Sequence, residues 1–218
     1  MTTILVTGFE PFEQQEINAS WAAVREVVAA WDDEGTTLVA RLLPVSFARA
    51  PEALARLLDE VRPDLVLCVG EAGGRSAVGV ERVAINVQDA RIPDEDGAQP
   101  LDESVRADGP AAYFSSLPVK ACYAAITDAG VPGEVSNTAG TYVCNTIFYA
   151  LADLLADGAS GAAPDARGGF VHVPRLPEQM PAGAPSLSAH DSATGLTAVL
   201  RAALTTTADL SLGAGTLA

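Results

Sequence analysis

Ser136-Asn-Thr-Ala-Gly-Thr-Tyr-Val-Cys-Asn-Thr-Ile-Phe-Tyr149 joins two segments of opposite character. Before it, Val-Pro-Gly-Glu-Val (131–135) is short and apolar enough for a strand. After it, from Thr146 to Asp157, Ile147, Leu151, Leu154 and Leu155 recur at helical spacing. The polar, glycine-bearing bend between them therefore reads as a strand-to-helix loop, with Cys144 on the first turn of the helix. Unpaired N–H groups and the positive end of the helix dipole stabilise an anion there. A cysteine in that position is expected to have its pKa lowered, and the same N–H groups could receive the oxyanion of an acyl-transfer intermediate.

Outward from this stretch, strands and helices alternate. Thr3 to Thr7 is an apolar run ending at Gly8, as in a buried parallel strand, and a loop from Phe9 to Asn18 leads to a helix over Ser20 to Trp31. Leu38 to Val45 reads as strand and Ala48 to Val61 as helix, stopped by Pro63; Asp64 to Gly70 is a third strand. Val78 to Val87 is of extended type. Gln88 to Pro110 is polar and rich in Asp, Pro and Gly, and a loop of that length is usually functional or held by a partner. Helix returns at Val119 to Ala129. Beyond the cysteine helix come a small-residue linker (Ala159 to Arg167), a strand (Gly169 to Val173) ended by Pro174, and a last helix (Ser188 to Thr205). This pattern predicts an α/β layered fold with a mostly parallel sheet. Residues 1–205 are expected to form a single α/β domain, and 206–218 a small, polar, frayed tail.

Composition bounds the function. Nearly half of the 218 residues are hydrophobic (49%), enough for a substantial core, and the net charge of −15 argues against nucleic acid or anionic membrane as partner. No apolar run approaches the length of a membrane span, and the N-terminus shows neither a basic region nor a cleavage site, so no signal peptide is expected. Cys68, Cys122 and Cys144 are odd in number and lack metal-ligand spacing, which fits a reducing cytoplasm. Cys68 and Cys122 lie in apolar stretches and read as buried small hydrophobes.

A cysteine nucleophile needs a base, and there are two histidines. His172 stands near the end of a strand, where ligands gather in open α/β sheets; the competing reading is a strand histidine satisfied by backbone. His190 opens a helix and reads as a solvent-exposed first-turn residue. Glu81 lies amid the apolar Gly-Val-Glu-Arg-Val-Ala-Ile-Asn stretch. It reads equally as the carboxylate that orients the base or as a structural ion pair with Arg82, Arg75 or Arg91. Gly70-Glu-Ala-Gly-Gly-Arg75 follows a strand but matches neither the dinucleotide fingerprint nor the P-loop. Phe9 and Phe12, placed in the loop after the first strand, suggest a small apolar pocket or packing beneath that loop.

Six segments in order carry a resemblance: residues 4–12 (Ile-Leu-Val-Thr-Gly-Phe-Glu-Pro-Phe), Asn18 with Ser20, Glu81 to Asn86, Asp89 to Asp94, Ser136 to Asn145, and Phe170 to Gln179. In these the chain resembles the pyroglutamyl peptidase type I (pyrrolidone-carboxylate peptidase) family of cysteine peptidases. The resemblance implies a Cys-His-Glu triad: Cys144 as nucleophile, His172 as base and then acid, Glu81 as orienter. It implies a substrate pocket of Phe9, Phe12, Asn18, Glu71, Tyr142 and Val143, with Arg91 supporting the oxyanion or closing the site. The implied substrates are peptides with N-terminal pyroglutamate. The implied fold is a three-layer α/β/α sandwich around a mostly parallel, mixed twisted sheet. No metal or organic cofactor and a cytoplasmic homo-oligomer, tetramer or dimer, are also implied. Two departures stand out: Glu13-Gln14 where the family continues Gly-Gly, and Glu71 where glutamine is expected. The first removes glycine freedom from a pocket loop; the second gives an acceptor that cannot donate. Two other readings are a non-catalytic relative that binds a small ligand or senses redox state through Cys144, and a purine-phosphorylase-like nucleoside enzyme, for which no phosphate cradle is found.

Overall fold

The computed structural model describes residues 1–158 and 161–215. The N-terminal apolar run forms β1 (Thr2–Phe9), followed by α1 (Ala19–Ala30), β2 (Thr36–Leu43), α2 (Arg49–Val61) and β3 (Leu65–Ala72). Then come β4 (Val78–Glu81), β5 (Val83–Ile85), β6 (Ala112–Phe114), α3 (Val119–Asp128) and β7 (Gly133–Ser136). The cysteine helix α4 (Val143–Ala156), β8 (Arg167–Pro174), a 3-10 turn (Pro177–Gln179) and α5 (Ala189–Thr205) complete the described order.

Six strands form one sheet in the order β2-β1-β3-β8-β4-β7. All neighbours are parallel except β4 and β8, which run antiparallel with Gly79 opposite His172. Because side chains alternate along a strand, each strand feeds two cores. Ile4, Val6, Leu67, Val69 and Val171 pack with Val24, Ile126, Leu196 and Leu200 on the α1/α3/α5 face. Leu5, Val66, Cys68 and Phe170 pack with Leu54, Leu58, Ile147 and Phe148 on the α2/α4 face. The molecule is thus a three-layer α/β/α sandwich around a mixed, mostly parallel sheet.

Several ends differ from the sequence reading for local reasons. β1 runs through Gly8 to Phe9, so Phe9 is a buried strand residue rather than a loop one. Gly8 is needed there, since a Cβ would lie 3.0 Å from the Trp21 backbone of α1. α1 starts at Ala19 because Asn18 caps it, its side chain accepting from Ser20 N–H at 3.0 Å. α2 ends where Arg62 takes a left-handed conformation (φ 50°), one residue before Pro63. Val78 to Val87 splits at Arg82, its first half entering the main sheet and its second pairing with β6 in a two-stranded sheet.

The polar stretch 88–110 is held by its own chain. The Asp94 carboxylate accepts from the N–H groups of Phe47, Asp96 and Ala98 at 2.8–2.9 Å. Asp89 N–H donates to Thr141 O, and Thr141 Oγ1 donates to Asp89 O, zipping this loop to the one before α4. The tail expected to fray is anchored at Asp209, whose carboxylate accepts from Lys120 and Ala121 N–H and so caps α3, where Pro118 offers no side-chain acceptor. Residues 159–160 of the linker and 216–218 of the tail lie outside the described residues. Among the described residues, no helix is long and apolar enough to cross a membrane.

Candidate active site

The loop 137–142 turns through Gly140 (φ +78°) and delivers the chain to α4, whose second residue is Cys144. Tyr142 at the N-cap provides no side-chain cap, so the first-turn N–H groups are left to other partners. Asn145, fully buried, fastens this turn to β5: it accepts from Ile85 N–H at 3.0 Å and donates to Ile85 O and Val87 O at 2.9 Å. The Cys144 thiol projects over Gly70 of β3, where a Cβ would sit 2.8 Å from Sγ and 2.8 Å from the Phe170 ring. Register places His172 of β8 directly beside Gly70, on the same face as Phe170. The sheet therefore leaves a gap in side-chain cover under the sulfur, next to the imidazole.

His172 and Glu81 lie 91 residues apart and meet because β4 runs antiparallel against β8. Glu81 Oε1 is 2.7 Å from His172 Nδ1, with Glu81 fully buried and His172 nearly so. The same Oε1 accepts from Arg75 Nη1 at 2.9 Å. Of the two readings of Glu81, the structure carries both: it holds the histidine, and Arg75 is the ion-pair partner, rather than Arg82 or Arg91. With Glu81 ionised, His172 donates from Nδ1 and leaves Nε2 free to accept a proton. His190 is exposed, 3.5 Å from Glu26 on the far side of the sheet, as a first-turn residue.

The lowered thiol pKa expected at the helix start is corrected by the surroundings. Burial pushes the Cys144 thiol up to about 12; the carboxylates of Glu81 and Glu71 push the same way, and Arg75 opposes them. Near neutral pH Cys144 is thus a thiol rather than a thiolate.

A cavity of about 560 Å³ opens on Cys144. Phe9, Phe12, Val45, Tyr142 and Val143 supply apolar walls; Asp89, Arg91 and Ile92 of the long loop form another side. Phe12 and Phe47 pack on the Tyr142 ring at 5.8 and 5.1 Å, and Tyr142 Oη donates to Pro93 O, joining the two loops. Asn18 reaches the cavity wall, while its side chain caps α1 and donates to Glu10 O. Every residue named from sequence for the pocket lines this cavity. Sequence reasoning missed Arg175 and Gln179. Arg175 Nε and Gln179 Nε2 donate to the two oxygens of Glu71 at 2.9 and 2.8 Å, and Ala19 N–H donates to Oε2. Glu71 is thereby charge-balanced and fixed, and the Glu13-Gln14 pair keeps left-handed backbone (φ 53° and 63°) without glycine.

Comparison with known proteins identifies the family. A family model described as pyroglutamyl peptidase matches residues 2–206. The pyrrolidone-carboxylate peptidase of Streptomyces coelicolor is 53% identical over 213 residues, covering 97% of this chain and 96% of its own. That of Cupriavidus taiwanensis is 52% identical over 215 residues, covering 96% of each. The crystal structure of pyroglutamyl peptidase I from Bacillus amyloliquefaciens superposes with a TM-score of 0.91 at 39% identity, over 97% of this chain and 99% of that one. Pyrrolidone carboxyl peptidase from Thermococcus litoralis gives 0.86 at 34% identity, over 94% of each. Similarity of this extent along the sequence and across the sheet leaves one assignment: the chain belongs to the pyroglutamyl peptidase family of cysteine peptidases.

Proposed function

We propose that the protein is an exopeptidase that hydrolyses the N-terminal pyroglutamyl residue from peptides through a thioester on Cys144. The observation that carries this reading is the 2.7 Å contact of His172 Nδ1 with Glu81, on the strand beside the glycine over which the Cys144 sulfur sits. As Sγ attacks the pyroglutamyl carbonyl carbon, its proton passes to His172 Nε2, and the carbonyl oxygen becomes an oxyanion facing the α4 N–H groups, with Arg91 at the cavity wall as support. Collapse breaks the C–N bond, and the imidazolium gives its proton to the leaving amine. Water, deprotonated by His172, then cleaves the thioester and restores the thiol.

Pocket chemistry supports the substrate. The lactam is uncharged, and its faces suit Phe9, Phe12, Tyr142 and Val143, while Glu71 can accept from its N–H. Arg175 neutralises Glu71, so a free N-terminal ammonium finds no unpaired carboxylate there to offset its desolvation. The redox-sensor reading requires an accessible thiol of low pKa, and Cys144 has the opposite shift. The catalytic unit in this proposal is residues 1–205, acting without metal or organic cofactor. Three free thiols support a reducing, cytoplasmic setting. The exposed side chains of Phe114 and Leu101 support a homo-oligomer, for which light scattering would read the mass.

The test is release of a fluorescent amine from its pyroglutamyl amide, with a prolyl amide as control, each with and without iodoacetamide. Cleavage of the pyroglutamyl amide alone, lost on alkylation and in Cys144→Ala, is the expected result. His172→Ala should be severely impaired and Glu81→Gln should keep part of the rate. Wild-type turnover in Cys144→Ala would sink the mechanism.

A further inference from the structure

Arg75 stands in the turn after β3, outside the triad, yet three features converge on it. Its Nη1 donates to Glu81 Oε1 at 2.9 Å and, at a longer 3.4 Å, to Glu134 of β7. Its Nη2 donates to Thr138 O at 3.2 Å, in the loop that leads into α4. The space it crosses is kept open by Gly79: a Cβ there would stand 2.6 Å from Nη1. Glu81 Oε2 is buried and has no hydrogen-bond partner among the described residues, so Oε1 alone receives both Arg75 and His172.

We propose that Arg75 is a positioning residue of the reaction, acting through Glu81 to hold its carboxylate aimed at His172, and through Thr138 to fix the loop that presents Cys144. This rests on the proposed function. A carboxylate held by an imidazole N–H alone could turn away from the ring and let the imidazole reorient. The guanidinium adds a charge-assisted hydrogen bond on the same oxygen that faces His172 Nδ1, so the carboxylate and the ring are fixed together. Its second arm donates to Thr138 O, and the planar fork fixes both contacts in one geometry where an ammonium on a flexible stem would not. The charged and titratable groups facing Cys144 are Glu81 of β4, Glu71 and Cys68 of β3, Tyr142 before α4, and Arg75 itself; His172 of β8 stands beside it. Arg75 is the one cation acting on the thiol within that set.

Arg75→Met keeps the aliphatic stem and removes the charge. Its kcat/KM on the pyroglutamyl amide should fall roughly 10- to 100-fold, the scale seen when the partner orienting a functional histidine is lost. The fall should lie mainly in kcat, the acid limb of the profile should move to higher pH, and so should the pH at which iodoacetamide alkylates Cys144. Millimolar guanidinium should restore part of the rate where equal sodium chloride does not. Arg75→Lys should keep the acid limb in place and still lose kcat. A folded Arg75→Met with the wild-type pH profile and alkylation profile would overturn the proposal. Should that variant not fold, Arg75→Lys with wild-type kcat and profiles would overturn it instead. Cys144→Ala, run alongside, separates the cases: turnover there defeats the proposed function, whereas an inert Cys144→Ala with unchanged Arg75 variants defeats only the role of Arg75.

Discussion

Gly70 lies where two side chains converge, and its missing Cβ is what the Cys144 sulfur and the Phe170 ring occupy. Adding one methyl there would demand that Sγ, the ring or the strand move. Gly70→Ala should therefore fold, with the sulfur displaced, and lose about 100-fold in kcat, the scale expected of a misplacement near 1 Å. A Gly70→Ala enzyme within a few-fold of wild type would show that Sγ has freedom to spare. Glu71, one residue on, shows how a substitution of type is absorbed: its negative charge is matched by Arg175 and shared among three donors. Glu13 and Gln14 absorb theirs differently, holding a glycine-like backbone at about 1 kcal/mol or more each, with Glu13 tied to Arg175 at 3.3 Å.

At the scale of elements, α4 is aimed by Asn145 rather than by a side-chain cap of its own. Asn145→Ala would strand the N–H and C=O of Ile85 and the C=O of Val87, at about 1–3 kcal/mol for each buried group left unpaired, with partial relief by water. We expect a loss of about 2–4 kcal/mol in urea unfolding, and a loss under about 0.5 kcal/mol would show that α4 is held elsewhere. The strand, loop and helix around Cys144 were legible in sequence because their signals are local: an apolar run, a glycine bend, a helical repeat. His172 was legible from its place at a strand end. Arg75 as the partner of Glu81, and Arg175 and Gln179 on Glu71, were not, since spacing does not say which of several arginines faces a carboxylate. The antiparallel insertion of β4 beside β8 carried no signal either, and it sets the distance between Glu81 and His172. The raised thiol pKa is not legible in sequence, because helix position is readable there whereas burial and the carboxylates of β3 and β4 are products of the fold.

On the scale of the whole molecule, Cys68 and Cys122 make stability sensitive to alkali. Burial raises each thiol from its ordinary 9.0 to about 12, and both side chains are fully covered. The folded values lie above the unfolded ones, so this contribution is intact below pH 9 and fades between 9 and 12, where the unfolded chain releases its protons first. Each thiol should steepen the decline by up to about 1.4 kcal/mol per pH unit. Urea midpoints of wild type and Cys68→Ala/Cys122→Ala, followed from about pH 8 to about pH 11, should converge as pH rises; parallel curves would discount the thiols. Sheet order has a consequence of another kind. β8, near the end of the chain, is threaded between β3 and β4, so the sheet has no continuous middle until residue 167 and those after it have been made. A ribosome-bound chain can hold β1 to β3 as one ribbon and β4 with β7 as another, with Glu81 and Cys144 already synthesised and His172 absent. On the proposed mechanism the chain is therefore born inert: hydrolytic competence arrives late in translation, with the strand that closes the gap.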